Sequence, residues 1–424
     1  MPLSSNQLKK TASEIRKAHS LGNRPDKKYF EIIHEYRNSH KDAISSAFDE
    51  LCEISKKVHN NSVVVFRLKR IDTIERKLIR LETGLDRLQD IAGCRVIVDS
   101  LAQVNSIVER IKHSSRFKVI RETDYISNPR TSGYKSYHLI VQMHNKKGQV
   151  EIQIRTRDHH YWATFVEITD YTFGVKLKEG DVNPNLLRFH QLLSKSYEEK
   201  LTNAESEEIT SIEGKLKILK SVLEIFKNNY LKACENWIHQ NSRNNKNDSN
   251  FILLEIKNNE PYFYFYPSFS IAEQRYFEKF TLEDTTNMVI VNINEPDISK
   301  LFLAYSNYVL VSHPSITRLS KVVSKVIIIK KKNADFTSLK TLKARYDDLV
   351  NYIETQFENE GRLISKLYDH EAKKKDIRSW YEGLQKRVEG IKRERVVLER
   401  KLDELTPKLT WKTAWPRFIY WVNN

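Results

Sequence analysis

Glu151, Gln153 and Arg155 alternate with Val150, Ile152 and Ile154. Successive side chains of a β-strand point to opposite faces, so an acid, an amide and a guanidinium share one face while the apolar residues enter a core. A strand that only supports a fold has little use for three such groups aimed one way. Just upstream lies Asp124-Tyr-Ile-Ser-Asn-Pro-Arg-Thr-Ser-Gly-Tyr-Lys-Ser-Tyr-His138, a glycine-containing loop rich in aromatic and basic residues. Loop and strand together have the makings of a grip on a nucleotide.

A second concentration of cations is Arg67-Leu-Lys-Arg-Ile-Asp-Thr-Ile-Glu-Arg-Lys77, which follows a strand-like run. Arg67 and Lys69 stand where a helix is predicted to begin, and Thr73 and Lys77 are four residues apart on one helical face. The chain has no Walker A sequence, no GxGxxG and only 11 glycines, so any phosphate would be held by side chains. Taken alone, a basic helix of this kind is more simply a solvated face. Asp90 precedes the apolar run around Arg95, where an acid can cap a turn or pair with that arginine.

These segments, in this order, resemble the synthetase domain of the RelA/SpoT family, which moves a pyrophosphate from ATP to a nucleotide. Arg67, Lys69, Thr73, Ile74 and Lys77 reproduce its Arg-x-Lys…Ser-Ile-x-x-Lys arrangement, with Thr for Ser. Asp90-Ile-Ala-Gly-Cys-Arg95 matches its Asp-hydrophobic-Ala-x-x-Arg motif, and His159-His-Tyr-Trp-Ala163 its His-x-x-Trp-Ala segment. The resemblance implies ATP binding by Arg67, Lys69, Thr73, Lys77 and Arg95, with Arg67 on or near the adenine. It implies Mg²⁺ on Asp90 and Glu151, and activation of the acceptor 3′-hydroxyl by Glu151. The loop becomes an acceptor site of Arg130, Ser132, Tyr134, Lys135 and His138, extended by Gln153 and Arg155. Tyr134 would stack on the acceptor base, exposed by a tight turn at Gly133. Arg130 stands at a family Lys position, and Lys135 where Gln or Arg is usual.

The elements that must position these groups read as an α/β (α+β) mixed-sheet, nucleotidyltransferase-like domain flanked by helices. Residues 1–60 are predicted helical and 61–240 form the synthetase-like domain with trailing helices. The polar run Asn241–Asn250 reads as a linker. A small α/β accessory module is expected over 251–330 and a helical tail over 335–424. In the tail, Ile377, Tyr381, Leu384, Val388, Ile391, Leu398, Leu402 and Leu405 follow a heptad pattern broken by Arg395. An intrachain antiparallel hairpin and a dimerising coiled coil fit it equally well. Three tryptophans beside Lys and Arg in Leu409–Val422 suit packing on the domain itself or docking on a partner.

A formal net charge of +16 favours polyanionic partners: nucleotides, tRNA or other RNA. Three scattered cysteines, Cys52, Cys94 and Cys234, suggest neither a disulfide framework nor a zinc site, which fits a reducing cytoplasm. No run approaches a membrane span, and no signal peptide is read. None of the 13 histidines is followed by Asp, so the alarmone-hydrolase chemistry of bifunctional family members is not expected. The expected reaction is ATP plus GTP or GDP giving (p)ppGpp and AMP, as in the stringent response. The alternatives are a toxic relative that pyrophosphorylates the tRNA 3′ end or makes adenosine alarmones, and a non-catalytic nucleotide sensor.

Overall fold

Runs of β-branched residues build a single sheet, seen in a computed structural model that describes residues 3–177, 183–223, 250–257, 260–280, 287–293, 303–304, 313–368 and 374–406. Its strands are β1 (Val63–Leu68), β2 (Ala92–Val98), β3 (Phe117–Asp124), β4 (Tyr137–Met143), β5 (Gln149–Thr156), β6 (Phe251–Lys257), β7 (Glu260–Tyr266) and β8 (Asn287–Ile293). They lie in the order β3-β4-β5-β2-β1-β8-β6-β7. Only β2 and β5 run parallel; the other pairs are antiparallel. The expected mixed sheet flanked by helices is what forms.

Each face of the sheet is covered, as strands with apolar residues on both sides require. One face packs against α3 (Lys41–Val58) and α5 (Leu101–His113), burying Phe48, Leu51, Ile107, Val96 and Ile152 together. The other face carries α6 (Arg157–Phe173), α7 (Pro184–Glu198) and α8 (Asn203–Leu216), with Val65, Ile97, Phe165, Phe189 and Ile209 in one core. A smaller core joins α1 (Ser5–Ser20) and α2 (Lys27–Asn38) to α4 (Ile71–Leu81) through Leu8, Ile15, Ile33, Ile74 and Leu78. Those apolar contacts anchor the helix that carries Thr73 and Lys77.

The segment expected as a separate accessory module joins the main sheet instead. Val65 of β1 pairs with Val291 of β8, so the ladder runs through the expected boundary. A helix of the same segment, α9 (Phe269–Lys279), covers the α3 face, and its Tyr276 hydroxyl accepts the Leu68 amide at 3.1 Å. The local pattern of strand and helix was readable; that β8 would find the free edge of β1 was not.

The tail folds back within the chain. Three helices, α10 (Pro314–Lys332), α11 (Phe336–Tyr368) and α12 (Lys374–Glu404), pack on one another, and α10 packs against α8. Tyr346, Val350, Ile353, Ile391 and Leu398 share the main core. Arg395, the residue that interrupts the heptads, donates to Asn351 Oδ1 at 2.9 Å across the hairpin. That geometry is the intrachain hairpin. Residues 241–249 of the expected linker, residues 305–312 and the tryptophan-rich end lie outside the described residues.

Candidate active site

Register brings the chemistry to one patch of the sheet. Across adjacent strands, Arg67 pairs with Gly93, Gly93 with Glu151, and Arg95 with Gln153. His138 pairs with Gln153 from the opposite side. Gly93 is the gap in this row. A β-carbon there would come no closer than 3.9 Å to the protein, so the missing side chain leaves open floor between Arg67 and Glu151.

Above this floor lies a cleft of about 1090 Å³. Arg67, Lys69, Thr73, Lys77, Asp90, Arg95, Arg130, Ser132, Tyr134, His138, Glu151, Gln153 and Arg155 all line it. Lys135 does not. Its ammonium pairs with Glu198 on α7, behind the loop. Arg80, Arg87, Arg121 and Tyr125 also line the cleft; Arg80 shares the α4 face of Thr73 and Lys77 and could have been found by that spacing, whereas no periodicity singles out the other three. The lining therefore carries nine Lys or Arg residues (67, 69, 77, 80, 87, 95, 121, 130 and 155) against three acids (90, 151 and 167).

Five side chains close a ring of hydrogen bonds. Arg155 Nη2 donates to Tyr134 Oη and to Gln153 Oε1, both at 2.6 Å. Gln153 Nε2 donates to Glu151 Oε2 at 2.8 Å. On the other arm, His138 bridges Tyr134 Oη (2.8 Å) and Glu151 Oε1 (3.0 Å). An ionised carboxylate only accepts, so His138 Nδ1 is the donor to Glu151, and its Nε2 accepts from the Tyr134 hydroxyl. Both arms thus run from the buried Arg155 to Glu151. Burial opposes charge on Glu151, but the hydrogen bonds from His138 and Gln153 hold its carboxyl below the usual range. Burial also holds the His138 imidazole below its usual value, despite the pull of Glu151.

Asp90 sits at the other side of the floor. Its Oδ2 accepts from Lys69 and, at 2.6 Å, from Lys77 one face further along α4. Burial works against its charge, and the two ammoniums more than offset that, lowering its pKa. Asp90 Oδ1 is buried without a hydrogen-bond partner. Arg95 is nearby, pushed down to about 10 by burial and by the like charges of Arg155 and Arg67. Its Nε also lacks a partner. Three mutually repelling guanidiniums in one place are an environment for an anion.

The 124–138 loop is held from both ends. Asp124 Oδ1 caps it by accepting the amides of Ile126 (2.8 Å) and Ser127 (3.0 Å). Gly133 adopts φ +91°, and a β-carbon there would meet Ser194 Cβ at 2.8 Å, so glycine is needed for conformation and for close approach to α7. Ser194 Oγ and Gln191 Nε2 then donate to the carbonyls of Gly133 and Thr131, each at 2.7 Å. The turn does not expose Tyr134 as expected: its side chain is pressed toward Trp162 and only 9% accessible. Arg130 stacks over Tyr125, 4.6 Å from its centroid, and stands 5.7 Å from that of Tyr134. Tyr125, half-buried at the cleft wall, is a second aromatic of this loop in the site.

Residues 66–173, which hold nearly all of this site, match the family described as a region found in RelA/SpoT proteins. The chain carries a RelA/SpoT-family synthetase domain. Among curated relatives, the GTP pyrophosphokinase YwaC of Bacillus subtilis is 28% identical over 138 residues, covering 29% of this chain and 66% of the relative. The GTP pyrophosphokinase YjbM of the same organism is 32% identical over 125 residues, covering 27% of this chain and 59% of the relative. The chain therefore matches about two thirds or less of the length of these proteins. Among solved structures, the small alarmone synthetase 1 of Bacillus subtilis bound to its product pppGpp is similar at 26% identity and a TM-score of 0.34, covering 43% of this chain and 97% of that one. The region that matches the family model runs from β1 to α6, and β6–β8 and α10–α12 lie outside it.

Proposed function

We propose that this protein is an ATP-dependent pyrophosphotransferase that makes (p)ppGpp, moving the β,γ-pyrophosphate of ATP to the 3′-hydroxyl of GTP or GDP. The observation that carries the reading is the hydrogen-bonded ring ending on Glu151, set across an open floor from Asp90 in a cleft of nine cations. The synthetase domain and the pyrophosphokinase names of its relatives support it.

In this mechanism Arg67, Lys69, Lys77 and Arg95 bind ATP and neutralise its phosphates. Lys69 and Lys77 exchange part of their contact with Asp90 for phosphate oxygens. Arg130, Tyr134 and His138 hold the acceptor nucleotide, and Tyr134 offers its ring to the base once Arg130 shifts. Each Glu151 oxygen accepts one hydrogen bond from the ring and keeps a lone pair for the incoming 3′-hydroxyl. Glu151 takes that proton as the 3′-oxygen bonds to the β-phosphorus; the bond from the β-phosphorus to the α,β-bridging oxygen breaks and AMP leaves. Because His138 and Gln153 fix the carboxylate, the contribution is largely one of orientation.

The donor set suits Mg²⁺. Asp90 Oδ1 is a buried oxygen lacking a partner, and Glu151 shares its cleft, which gives the one or two carboxylates that Mg²⁺ takes beside phosphate oxygens. When bound, the ion would neutralise and orient the triphosphate.

Incubation with ATP labelled in its β- or γ-phosphate, and with GTP, GDP or bulk tRNA as acceptor, tests the reading. Label on the guanosine nucleotides is the expected outcome; label on RNA alone would replace it with the tRNA-modifying alternative.

A further inference from the structure

A second basic cavity, of about 420 Å³, opens between the end of α7, the start of α8 and α10. It shares no lining residue with the main cleft. Lys200, Arg318, Lys321 and Lys325 line it, together with Tyr197 and the Ser206 hydroxyl. Its two acids are engaged elsewhere: Glu198 with Lys135 and His159, and Glu199 with Lys195 at 3.7 Å.

Two of the cations are fixed in place. Arg318 donates from Nη1 to the Ser196 carbonyl and lies 4.1 Å over the Tyr197 ring, while its buried Nε has no partner. Lys325 Nζ donates to Leu201 O at 2.7 Å and to Ser206 Oγ at 3.1 Å. Among the described residues, Lys200 and Lys321 form no ion pair. Asp158 interacts with Arg318 and Glu394 with Lys321 from outside the lining, so the four charges are balanced only in part, and an added anion would relieve the rest of their repulsion. The Ser206 hydroxyl donates to the Thr202 carbonyl and holds Lys325 in place, so the groups that suit phosphate oxygens are the guanidinium and the ammoniums, and the volume suits a small molecule.

We propose that this cavity is a second binding site, for a small ligand bearing a di- or triphosphate group. Arg318 and Lys325 form its rigid wall, and Lys200 and Lys321 close on the ligand from the rim. Because Glu198 lines the cavity and also holds Lys135, the site abuts the back of the 124–138 loop.

The test is calorimetric titration of the full chain with inorganic pyrophosphate, ATP and GTP. The wild type is compared with K200Q/K321Q and with the cleft variant K69Q/K77Q. Lys200 has no ion-pair partner among the described residues, whereas Lys321 acts on Glu394, so the Tm of K200Q/K321Q is measured beside its titration; a parallel K200E variant checks the same site by charge reversal without touching Lys321. The cleft variant is expected to retain one pyrophosphate equivalent that both rim variants weaken at least tenfold, as the loss of charged hydrogen bonds implies. Tighter binding of ATP or GTP than of pyrophosphate at that equivalent would assign the site to a nucleotide, and equal binding to the phosphate group itself. Rim variants that titrate like the wild type, or a cleft variant that binds no pyrophosphate, would overturn the proposal.

Discussion

Glu151 is held by one donor on each oxygen, which makes its position as important as its charge. Glu151→Gln preserves shape and removes the proton acceptor; kcat should fall by about 10²–10⁴ with the fold intact, as measured by steady-state transfer and circular dichroism. Tyr134 separates two roles. Tyr134→Phe deletes the hydroxyl between Arg155 and His138 and should lower kcat about tenfold with little change in acceptor KM, since a hydrogen bond to a charged group contributes about 1.5–3 kcal/mol. Tyr134→Ala should in addition raise the acceptor KM. Equal effects of the two variants on KM would argue against base stacking. The shared face of Glu151, Gln153 and Arg155 was legible from alternation alone. The closing of the ring through Tyr134 was not, because it depends on a loop residue being pressed inward by contacts with α6 and α7.

At the scale of elements, the site is an accident of neither strand nor loop but of register. Gly93 faces the open floor, and its substitution isolates that role. Gly93→Ala adds a methyl group that meets the protein no closer than 3.9 Å. Thermal stability should therefore change little while transfer falls, because the methyl occupies the space between Arg67 and Glu151. A drop in Tm large enough to explain the lost activity would contradict this. Strands β1, β2 and β5 and the apolar stripe of α4 were readable from periodicity; the pairing of Asp90 with Lys69 and Lys77 rather than with Arg95 was not, because it depends on how α4 docks beside β2. Lys135, expected in the cleft, instead meets Glu198 at the end of α7, a contact far apart in sequence that local spacing does not show.

For the molecule as a whole, the C-terminal hairpin and the β6–β8 extension enlarge the synthetase domain by sharing the core on its α6–α8 face. Local pattern gave these segments their helices and strands, but docking depends on contacts far apart in sequence. Glu394 on α12 offers a probe of the docking. Burial pushes its carboxyl up to about 7 against the pull of Lys321, and its Oε2 has no partner. The folded state thus holds this proton more tightly than the unfolded chain does. Its contribution to stability is full below the ordinary carboxylate range and is lost as pH rises toward about 7. Glu394→Gln should remove that part of the pH dependence, so the variant gains Tm relative to wild type at pH about 8 and gains little at pH about 5. Parallel Tm curves would show that the carboxyl stays solvated.

The central claim is transfer of pyrophosphate to a guanosine nucleotide with Glu151 at the reacting hydroxyl. Its most direct test is the fate of label from [γ-³²P]ATP, with GTP, GDP and tRNA offered separately to the wild type and to Glu151→Gln. The account predicts label at the 3′ position of the guanosine product, stoichiometric AMP, and near-complete loss in the variant. Label confined to tRNA, or undiminished transfer by Glu151→Gln, would contradict it.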